Sequence, residues 1–208
     1  MSTFAMPSYE PRDRFYRKAR AQGLPSRAAF KLDEILARCR LIGAGSRVLD
    51  LGCAPGGWLA ILAPLVGAGG CVVGCDLVPI KFVFPNTRTV AGDVSDPAVQ
   101  ERIASALGGL ADLITSDMAP KLSGVKARDQ ARAAELAAVA LRLANPLLRP
   151  DGAMVVKIFM DAEFQALLSD FKRSFAKVET IHPKASRPGS SELYLVARGF
   201  RPAKRQHV

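Results

Sequence analysis

Short hydrophobic runs alternate with amphipathic segments along most of the chain. Six runs have the composition of strands, at residues 47–51, 71–75, 87–91, 112–116, 153–159 and 192–197. Four segments between them show the apolar spacing of helices, at residues 57–66, 97–107, 128–148 and 162–175. This alternation predicts βαβ units. The expected fold class is therefore α/β, a doubly wound and mostly parallel sheet flanked by helices.

The first forty residues show a helical pattern instead. A basic run over residues 12–20 predicts one helix, and Ser26 is placed to cap a second. The second helix carries one apolar stripe, formed by Leu32, Ile35, Leu36 and Cys39. Lys31 lies at the edge of this stripe, where a long side chain can emerge beside a cleft.

The composition fits one globular domain with short appendages. The chain has 208 residues, of which 49% are hydrophobic and 23% are charged, too apolar for a disordered protein. We expect a basic N-terminal helical segment (1–42) packed on a main domain (43–200), followed by a basic tail (201–208).

The net charge of +10 is concentrated at the two ends of the chain, whereas residues 41–170 carry a slight excess of acidic groups. This distribution suggests that the flanks bind a polyanion while a different ligand occupies the middle; a merely solvated basic surface is the alternative. The candidates for phosphate contact are Arg12, Arg14, Arg17, Lys18, Arg20 and Arg27 on one side and Lys172, Arg173, Lys184 and Arg187 on the other.

Several classes of protein are disfavoured. Residues 51–75 lack charge, but seven Gly and two Pro argue against a membrane span. Four Cys without Cys-x-x-Cys spacing and only two His predict no metal site, and buried thiols in a reducing cytosol are expected instead. No secretory signal is apparent, so we expect a soluble, cytoplasmic protein.

The most informative segment is residues 48–58, a hydrophobic strand that runs into a glycine turn and then a helix. In a parallel sheet such a turn lies at the carboxyl edge, where ligands bind. Gly52, Gly56 and Gly57 allow a ligand to approach the backbone closely. Asp76 follows Gly56 by twenty residues, at the end of the next strand, where a carboxylate can accept hydrogen bonds from ribose hydroxyls.

Two nucleoside cofactors compete for this site. The glycine spacing lacks the close Gly-x-Gly pair of a dinucleotide fingerprint, which disfavours a nicotinamide dehydrogenase. Asp50, inside the strand, favours a ligand that bears an amino group. Asp93, at the end of the third strand, can accept from an adenine amino group. These features favour S-adenosylmethionine, although any one of the aspartates alone would be read as a turn former.

Four more charged residues stand out: Lys31, Asp117, Lys157 and Glu192. Lys31 comes from the second N-terminal helix, and the other three lie inside a predicted strand, at its start or directly after it. Lys157 interrupts a buried strand, and lysine is almost never fully buried without a partner. A structural salt bridge is the default interpretation for any two of them taken alone.

The order of the motifs resembles that of the FtsJ/RrmJ family of ribosomal RNA ribose 2′-O-methyltransferases. The motifs are Ser-Arg-Ala-Ala-Phe-Lys-Leu (26–32), Asp-Leu-Gly-Cys-Ala-Pro-Gly-Gly-Trp (50–58), Cys-Asp-Leu (75–77), Ser-Asp-Met-Ala-Pro (116–120), Ser-Gly (123–124), Val-Val-Lys (155–157) and Ser-Ser-Glu-Leu-Tyr (190–194). The resemblance implies a catalytic tetrad of Lys31, Asp117, Lys157 and Glu192. It further implies cofactor contacts at Gly56, Trp58, Asp76, Asp93 and Asp117.

The sequence departs from the family pattern at three places. Cys53 stands where alanine is usual, and Lys121 replaces a common asparagine, which adds a positive charge near the expected RNA entrance. Residues 81–87 match no part of the pattern.

The chemistry of these residues predicts a mechanism, and the resemblance implies a substrate. Lys157 is assigned as the base for the ribose hydroxyl and Lys31 as the tuning and positioning cation, with Asp117 orienting the lysine and Glu192 holding the pair. A protonated Lys157 that stabilises developing charge is the open alternative. The implied partner is 23S ribosomal RNA in the large subunit, at an A-loop uridine, for a monomeric enzyme. Methylation of tRNA or mRNA caps, and a catalytically silent RNA-binding assembly factor, are the competing functions.

Overall fold

Seven strands and six helices account for the regular structure in a computed structural model, which describes residues 13–80, 84–121, 123–187 and 190–203. The strands are β1 (Arg47–Leu51), β2 (Cys71–Asp76), β3 (Thr87–Ala91), β4 (Ala111–Ser116), β5 (Leu148–Phe159), β6 (Phe175–Ile181) and β7 (Glu192–Phe200). The helices are α1 (Arg14–Ala21), α2 (Ala29–Cys39), α3 (Leu59–Val66), α4 (Pro97–Leu107), α5 (Lys126–Leu147) and α6 (Phe164–Ser174).

The strands form one sheet in the order β3-β2-β1-β4-β5-β7-β6. The first five pair in parallel, whereas β7 runs antiparallel to both β5 and β6. The chain reverses its direction of winding between β1 and β4. In open α/β sheets the crevice at such a switch point, outside the carboxyl ends of the strands, is where ligands bind.

Neighbouring residues of the central strands enter two different hydrophobic cores. Val48 packs in the core under α2 and α3, whereas Leu49 packs in the core under α4, α5 and α6. Successive strand side chains point to opposite faces, so helices on both faces bury both sets. This explains the nearly continuous hydrophobic runs of the sequence. The predicted doubly wound α/β fold is confirmed.

The sequence prediction missed strand β6. The predicted helix over 162–175 ends at Ser174, and the chain turns directly into β6 at Phe175. This strand lies at the sheet edge and buries only its ends, Phe175 and Ile181, so its burial lacks the regular alternation that identifies a strand. Pairing with β7 decides its conformation.

The predicted cap of the second helix is also wrong. Ser26 does not cap α2; the N-cap residue is Ala28, which makes no side-chain capping bond. Residues 27–28 form a turn, and the carbonyl of Ser26 accepts from the amide of Ala29. The helix therefore starts two residues later than a cap at Ser26 predicts.

The apolar stripe of α2 holds the N-terminal segment on the sheet. Leu32, Ile35 and Leu36 are buried in the core that α3 covers, and Cys39 is partly buried at its edge. The division into residues 1–42, 43–200 and 201–208 stays a prediction, and residues 204–208 of the tail lie outside the described residues. In the described ranges no helix combines the length and apolar character needed to cross a membrane.

Candidate active site

A cleft of about 360 Å³ opens at the carboxyl ends of β1, β2, β3 and β4. Three of the aspartates singled out in the sequence, Asp76, Asp93 and Asp117, line it together. The remaining lining residues are Gly52, Ala54, Cys75, Leu77, Gly92, Val94, Met118, Ala119 and Leu136. The parallel sheet brings the acidic strand ends to one edge, as the sequence predicted.

The floor of the cleft requires glycine at position 52. Gly52 has a positive φ of 74°, a conformation that side chains disfavour. A Cβ atom there would lie 2.8 Å from the backbone nitrogen of Met118. The turn after β1 and the segment after β4 therefore approach each other closely enough to form one continuous wall.

The carboxylates at the strand ends are held by backbone amides. Asp76 accepts from the amide of Ala54 at 2.9 Å and from the amide of Val78 at 3.0 Å, and Asp93 accepts from the amide of Ser95 at 2.8 Å. Each carboxylate oxygen has two lone pairs, so these oxygens retain capacity for a ligand hydroxyl or amino group. The bonds position the acceptors before a ligand arrives.

Asp50 lies fully buried near the end of β1. Its Oδ1 atom accepts from the Thr115 hydroxyl at 2.7 Å, whereas Oδ2 has no hydrogen-bond partner among the described residues. Burial raises the pKa of this carboxyl to about 8; the Thr115 bond opposes the shift, and the negative charges of Asp117 and Asp76 add to it. A cationic donor supplied by a ligand would stabilise the ionised form of this carboxyl.

Lys157 and Asp117 form a nearly buried ion pair beside the cleft. The Lys157 Nζ atom lies 3.1 Å from Asp117 Oδ1 and donates to the Asp117 carbonyl at 2.6 Å, with only 7% of the lysine side chain exposed. The parallel register of β4 and β5 pairs Ser116 with Val156, which places the two residues side by side. The partner expected for a buried lysine is therefore Asp117.

Lys31 and Glu192 form a second ion pair. The Lys31 Nζ atom lies 2.6 Å from Glu192 Oε1, and the Ser186 hydroxyl donates to the same oxygen at 3.0 Å. Helix α2 brings the lysine and the start of β7 brings the glutamate. The structure thus assembles the four predicted residues as two pairs, Lys157 with Asp117 and Lys31 with Glu192.

Tyr194 connects the two pairs, and the sequence analysis did not assign it a role. Its hydroxyl donates to Asp117 Oδ1 at 2.8 Å, and Lys31 Nζ lies 5.8 Å from its ring centroid. Burial raises the pKa of Tyr194 well above its ordinary value, and the nearby Asp117 charge adds to the shift, so the phenol remains a neutral donor. One signal was available, because Tyr194 follows Glu192 by two residues and a strand places such residues on one face.

Two of the predicted cofactor contacts lie outside this cleft. Gly56 and Trp58 are not among the residues that line it. The buried Trp58 indole donates to the carbonyl of Ala28 at 2.9 Å, and its ring centroid lies 5.7 Å from that of Tyr194. In this structure Trp58 therefore joins the glycine turn to the start of α2.

The fold brings basic residues from both ends of the chain together near α2. Arg27 donates to the Ala185 carbonyl, and the backbone amide of Lys184 donates to Glu34. Burial lowers the pKa of Arg27, and the positive charge of Arg187 lowers it further.

The other predicted basic residues are spread more widely. Arg14, Lys18 and Arg20 lie on α1 with Arg17, and Lys121 is exposed after β4. Lys172 and Arg173 lie instead in the last turn of α6, where Arg173 pairs with Asp170. Arg12 lies outside the described residues.

The two cysteines near the glycine turn, Cys53 and Cys75, are buried. Burial raises the pKa of Cys53 far above its ordinary value and that of Cys75 to about 11. Within the described part of the chain, no three His, Cys, Asp or Glu side chains are arranged to hold a metal ion.

The sheet order with its reversed β7, and the acidic cleft at the switch point, define a methyltransferase of the doubly wound class. Residues 24–200 match the model of the FtsJ-like methyltransferase family, and the chain belongs to this family.

Individual relatives agree with this assignment. The chain is 47% identical over 194 residues to the ribosomal RNA large subunit methyltransferase E of Anaeromyxobacter dehalogenans, covering 93% of this chain and 73% of the relative. The crystal structure of a ribosomal RNA methyltransferase from Plasmodium falciparum superimposes with a TM-score of 0.76 at 25% identity, over 86% of this chain and all of that one. The fibrillarin of Aeropyrum pernix, solved with natively bound S-adenosyl-L-methionine, shares the fold alone, with a TM-score of 0.56 at 17% identity over 76% of this chain and 68% of that one.

Proposed function

We propose that this protein transfers a methyl group from S-adenosylmethionine to a ribose 2′-hydroxyl of 23S ribosomal RNA, at an A-loop uridine of the assembled large subunit. The observation that carries the proposal is the buried Lys157–Asp117 pair, which lies beside an acidic cleft and is connected through Tyr194 to Lys31 and Glu192. We further propose that the enzyme works as a monomer in the cytoplasm.

The residues around the cleft fit S-adenosylmethionine. Asp76 offers acceptors for ribose hydroxyls and Asp93 an acceptor for the adenine amino group, both at the lining of the cleft. The buried Asp50 Oδ2 atom, which lacks a partner among the described residues, suits the amino group at the other end of the molecule. When bound, the cofactor supplies a methyl group that its sulfonium already activates.

The ribose 2′-hydroxyl is a very weak acid, so the protein must either accept its proton or stabilise the developing alkoxide. A neutral Lys157 amine has two N–H donors, which suffice for the Asp117 carbonyl and carboxylate, and its lone pair remains for the hydroxyl proton. A protonated Lys157 has a third N–H, which would stabilise the developing alkoxide instead. In both cases Asp117 fixes the direction of the lysine, and we assign Lys157 as the base. Lys31, held by Glu192, supplies a positive charge nearby.

The RNA substrate is supported by charge and by the relatives. Arg27 and Arg187 line one concave surface together with Lys31. Arg14 and Lys18 of α1 line a second one together with Lys184. Such residues position a phosphate backbone without reading its sequence. The relative from Anaeromyxobacter dehalogenans carries the name of a large-subunit ribosomal RNA methyltransferase over nearly the whole of this chain.

The direct test is methyl transfer from S-[methyl-³H]adenosylmethionine to large ribosomal subunits, protein-free 23S RNA and tRNA in parallel, with the modified nucleotide then mapped. We expect label in ribosomal RNA at a 2′-hydroxyl, and none with the Lys157→Met variant. Transfer to tRNA alone would show that the substrate is tRNA and not ribosomal RNA. Binding of RNA without transfer to any acceptor would indicate an assembly factor.

A further inference from the structure

A second concave surface lies away from the cofactor cleft, between α1, α2 and the chain at residues 184–185. This groove, here called the flank groove, has a volume of about 700 Å³. It is lined by Arg14, Phe15, Lys18, Phe30, Asp33, Glu34, Ala37, Arg38, Lys184 and Ala185. It contains none of the residues that line the cofactor cleft, so it is available to a different ligand.

Aromatic rings and cations alternate in the flank groove. Phe15 and Phe30 are half-buried, with ring centroids 5.9 Å apart. The Arg14 guanidinium lies 4.8 Å from the Phe15 centroid, and the Lys18 ammonium lies 4.7 Å from the Phe30 centroid. Proteins bind single-stranded nucleic acid with this combination, in which a ring stacks on a base while neighbouring cations contact the phosphates.

The acidic residues of the flank groove are outnumbered by its cations. Both carboxylate oxygens of Glu34 are engaged, one by Arg38 at 2.6 Å and the other by the backbone amide of Lys184 at 2.8 Å. With Asp33 as the second acidic group, the groove is lined by two carboxylates and by the four cations Arg14, Lys18, Arg38 and Lys184. The surplus of positive charge favours a polyanion over an uncharged or basic partner.

The flank groove and the catalytic residues share a wall. Phe30 lines the groove, whereas the next residue, Lys31, pairs with Glu192. Ala185 lines the groove, whereas the next residue, Ser186, donates to the same glutamate. Adjacent residues lie only about 3.8 Å apart along the chain, so a strand that places one ribose at the catalytic pair has its neighbouring nucleotides next to the groove.

We propose that the flank groove binds a nucleotide adjacent to the methylated one, with its base stacked on Phe30 or Phe15 and its phosphate held by Arg14, Lys18 or Lys184. The inference rests on the proposed function and adds a substrate requirement to it: the RNA must be single-stranded and unstacked next to the target ribose. An acidic peptide would use the same cations but would gain little from the two rings.

A double-mutant cycle between protein and RNA tests the stacking. The probe is a labelled single-stranded segment of ribosomal RNA around the mapped nucleotide, prepared with one base at a time removed. Its affinity for the full chain is measured by fluorescence anisotropy, without cofactor. Phe30→Leu and Phe15→Leu remove a ring and keep apolar volume. The matched control is Phe164→Leu, since Phe164 is a half-buried phenylalanine on α6.

At one position next to the target, we expect removal of the base to weaken binding to the wild type about tenfold, the usual effect of losing one stacked base. With Phe30→Leu or Phe15→Leu the same removal should change affinity less than twofold, because the ring is already absent. In steady-state methylation the loss should appear in KM for RNA more than in kcat. Phe164→Leu should behave like the wild type, and a cofactor titration of each variant should confirm that it is folded.

The inference would be overturned if, at every RNA position, the loss of affinity from removing the base and the loss from the phenylalanine substitution simply added. It would also be overturned if the phenylalanine variants bound free RNA normally and lost affinity only for ribosomal subunits, since the groove would then bind a protein. The proposed function fails separately, by absence of methyl transfer from the wild type to any ribosomal RNA.

Discussion

The Tyr194 hydroxyl donates a 2.8 Å hydrogen bond to Asp117 Oδ1, the same oxygen that faces the Lys157 ammonium at 3.1 Å. The antiparallel register of β5 and β7 pairs Lys157 with Tyr194 directly. The Asp117 carboxylate is therefore held by side chains from two neighbouring strands, Lys157 of β5 and Tyr194 of β7.

Tyr194→Phe should slow methyl transfer while the protein still binds its cofactor. The change leaves a partly buried carboxylate with one donor fewer, which costs about 1–3 kcal/mol. A loss of this size in the transition state corresponds to a rate about 5- to 150-fold lower. Single-turnover kinetics with saturating RNA measures the effect. Tyr16→Phe, at an exposed tyrosine of α1, is the control. A normal rate in Tyr194→Phe would mean that the Asp117–Lys157 pair is aligned without this bond.

Lys157→Arg distinguishes the two roles considered for the lysine. A guanidinium stays protonated at any working pH, so it can stabilise charge and cannot accept a proton. If Lys157 is the base, we expect Lys157→Arg to be as inactive as Lys157→Met, with cofactor and RNA affinities within a few-fold of the wild type. Substantial activity in the arginine variant would identify Lys157 as a charge stabiliser.

Asp50 should make the stability of the ligand-free protein decrease as the pH rises. Its pKa is about 8 in the folded state and near 3.8 when unfolded, so between these values the folded protein holds a proton that the unfolded chain has lost. The acidic neighbours Asp117 and Asp76 act in the same direction, and the Thr115 bond acts against them.

Asp50→Asn removes this titration and approximately conserves the shape of the side chain. Urea denaturation at pH 5, 6.5 and 8 should therefore show the wild type losing free energy of unfolding relative to Asp50→Asn as the pH rises. A difference between the two proteins that stays constant across this range would contradict the assignment of a raised pKa to Asp50.

Asp76 should be required for thermal protection by the cofactor. S-adenosylmethionine at a concentration well above its Kd should raise the Tm of the wild type, because a ligand that binds only the folded state stabilises it, and NAD should not. Asp76 accepts from two backbone amides, one at each carboxylate oxygen. Asp76→Asn has only one acceptor oxygen and places an NH2 donor against the other amide, so this variant should lose most of the protection. Asp112→Asn, at the opposite end of the sheet, provides the matched control. Protection by NAD alone would refute the cofactor assignment.

Trp58→Phe should impair the use of RNA more than the binding of cofactor. The change removes the indole bond to the Ala28 carbonyl, which lies three residues before Lys31, and retains most of the buried ring. We expect a several-fold lower kcat/KM for RNA with cofactor affinity nearly unchanged. A larger loss of cofactor affinity, measured by calorimetry, would favour the direct cofactor contact that the family resemblance implied for Trp58.

The sequence alone was sufficient for the fold class and for the acidic edge of the sheet. The strands β1, β2 and β4 are mostly hydrophobic runs because both of their faces are buried, and this pattern is visible without knowledge of any partner. β2 ends in Asp76 and β4 is followed directly by Asp117, and both side chains line the cleft because the parallel sheet exposes its carboxyl ends there. The motifs around Lys31, Lys157 and Glu192 led to the family before any contact was known.

Only the tertiary structure decided how these residues combine. The pairing of Lys31 with Glu192, the bond from Tyr194 to Asp117 and the contact of Trp58 with Ala28 all join distant parts of the chain. No local periodicity encodes them, since they follow from how β7 inserts beside β5 and how α2 packs on the sheet. The edge strand β6 escaped prediction for the same reason. Its conformation comes from hydrogen bonds to β7, and a strand with little burial shows only a weak hydrophobic pattern in its sequence.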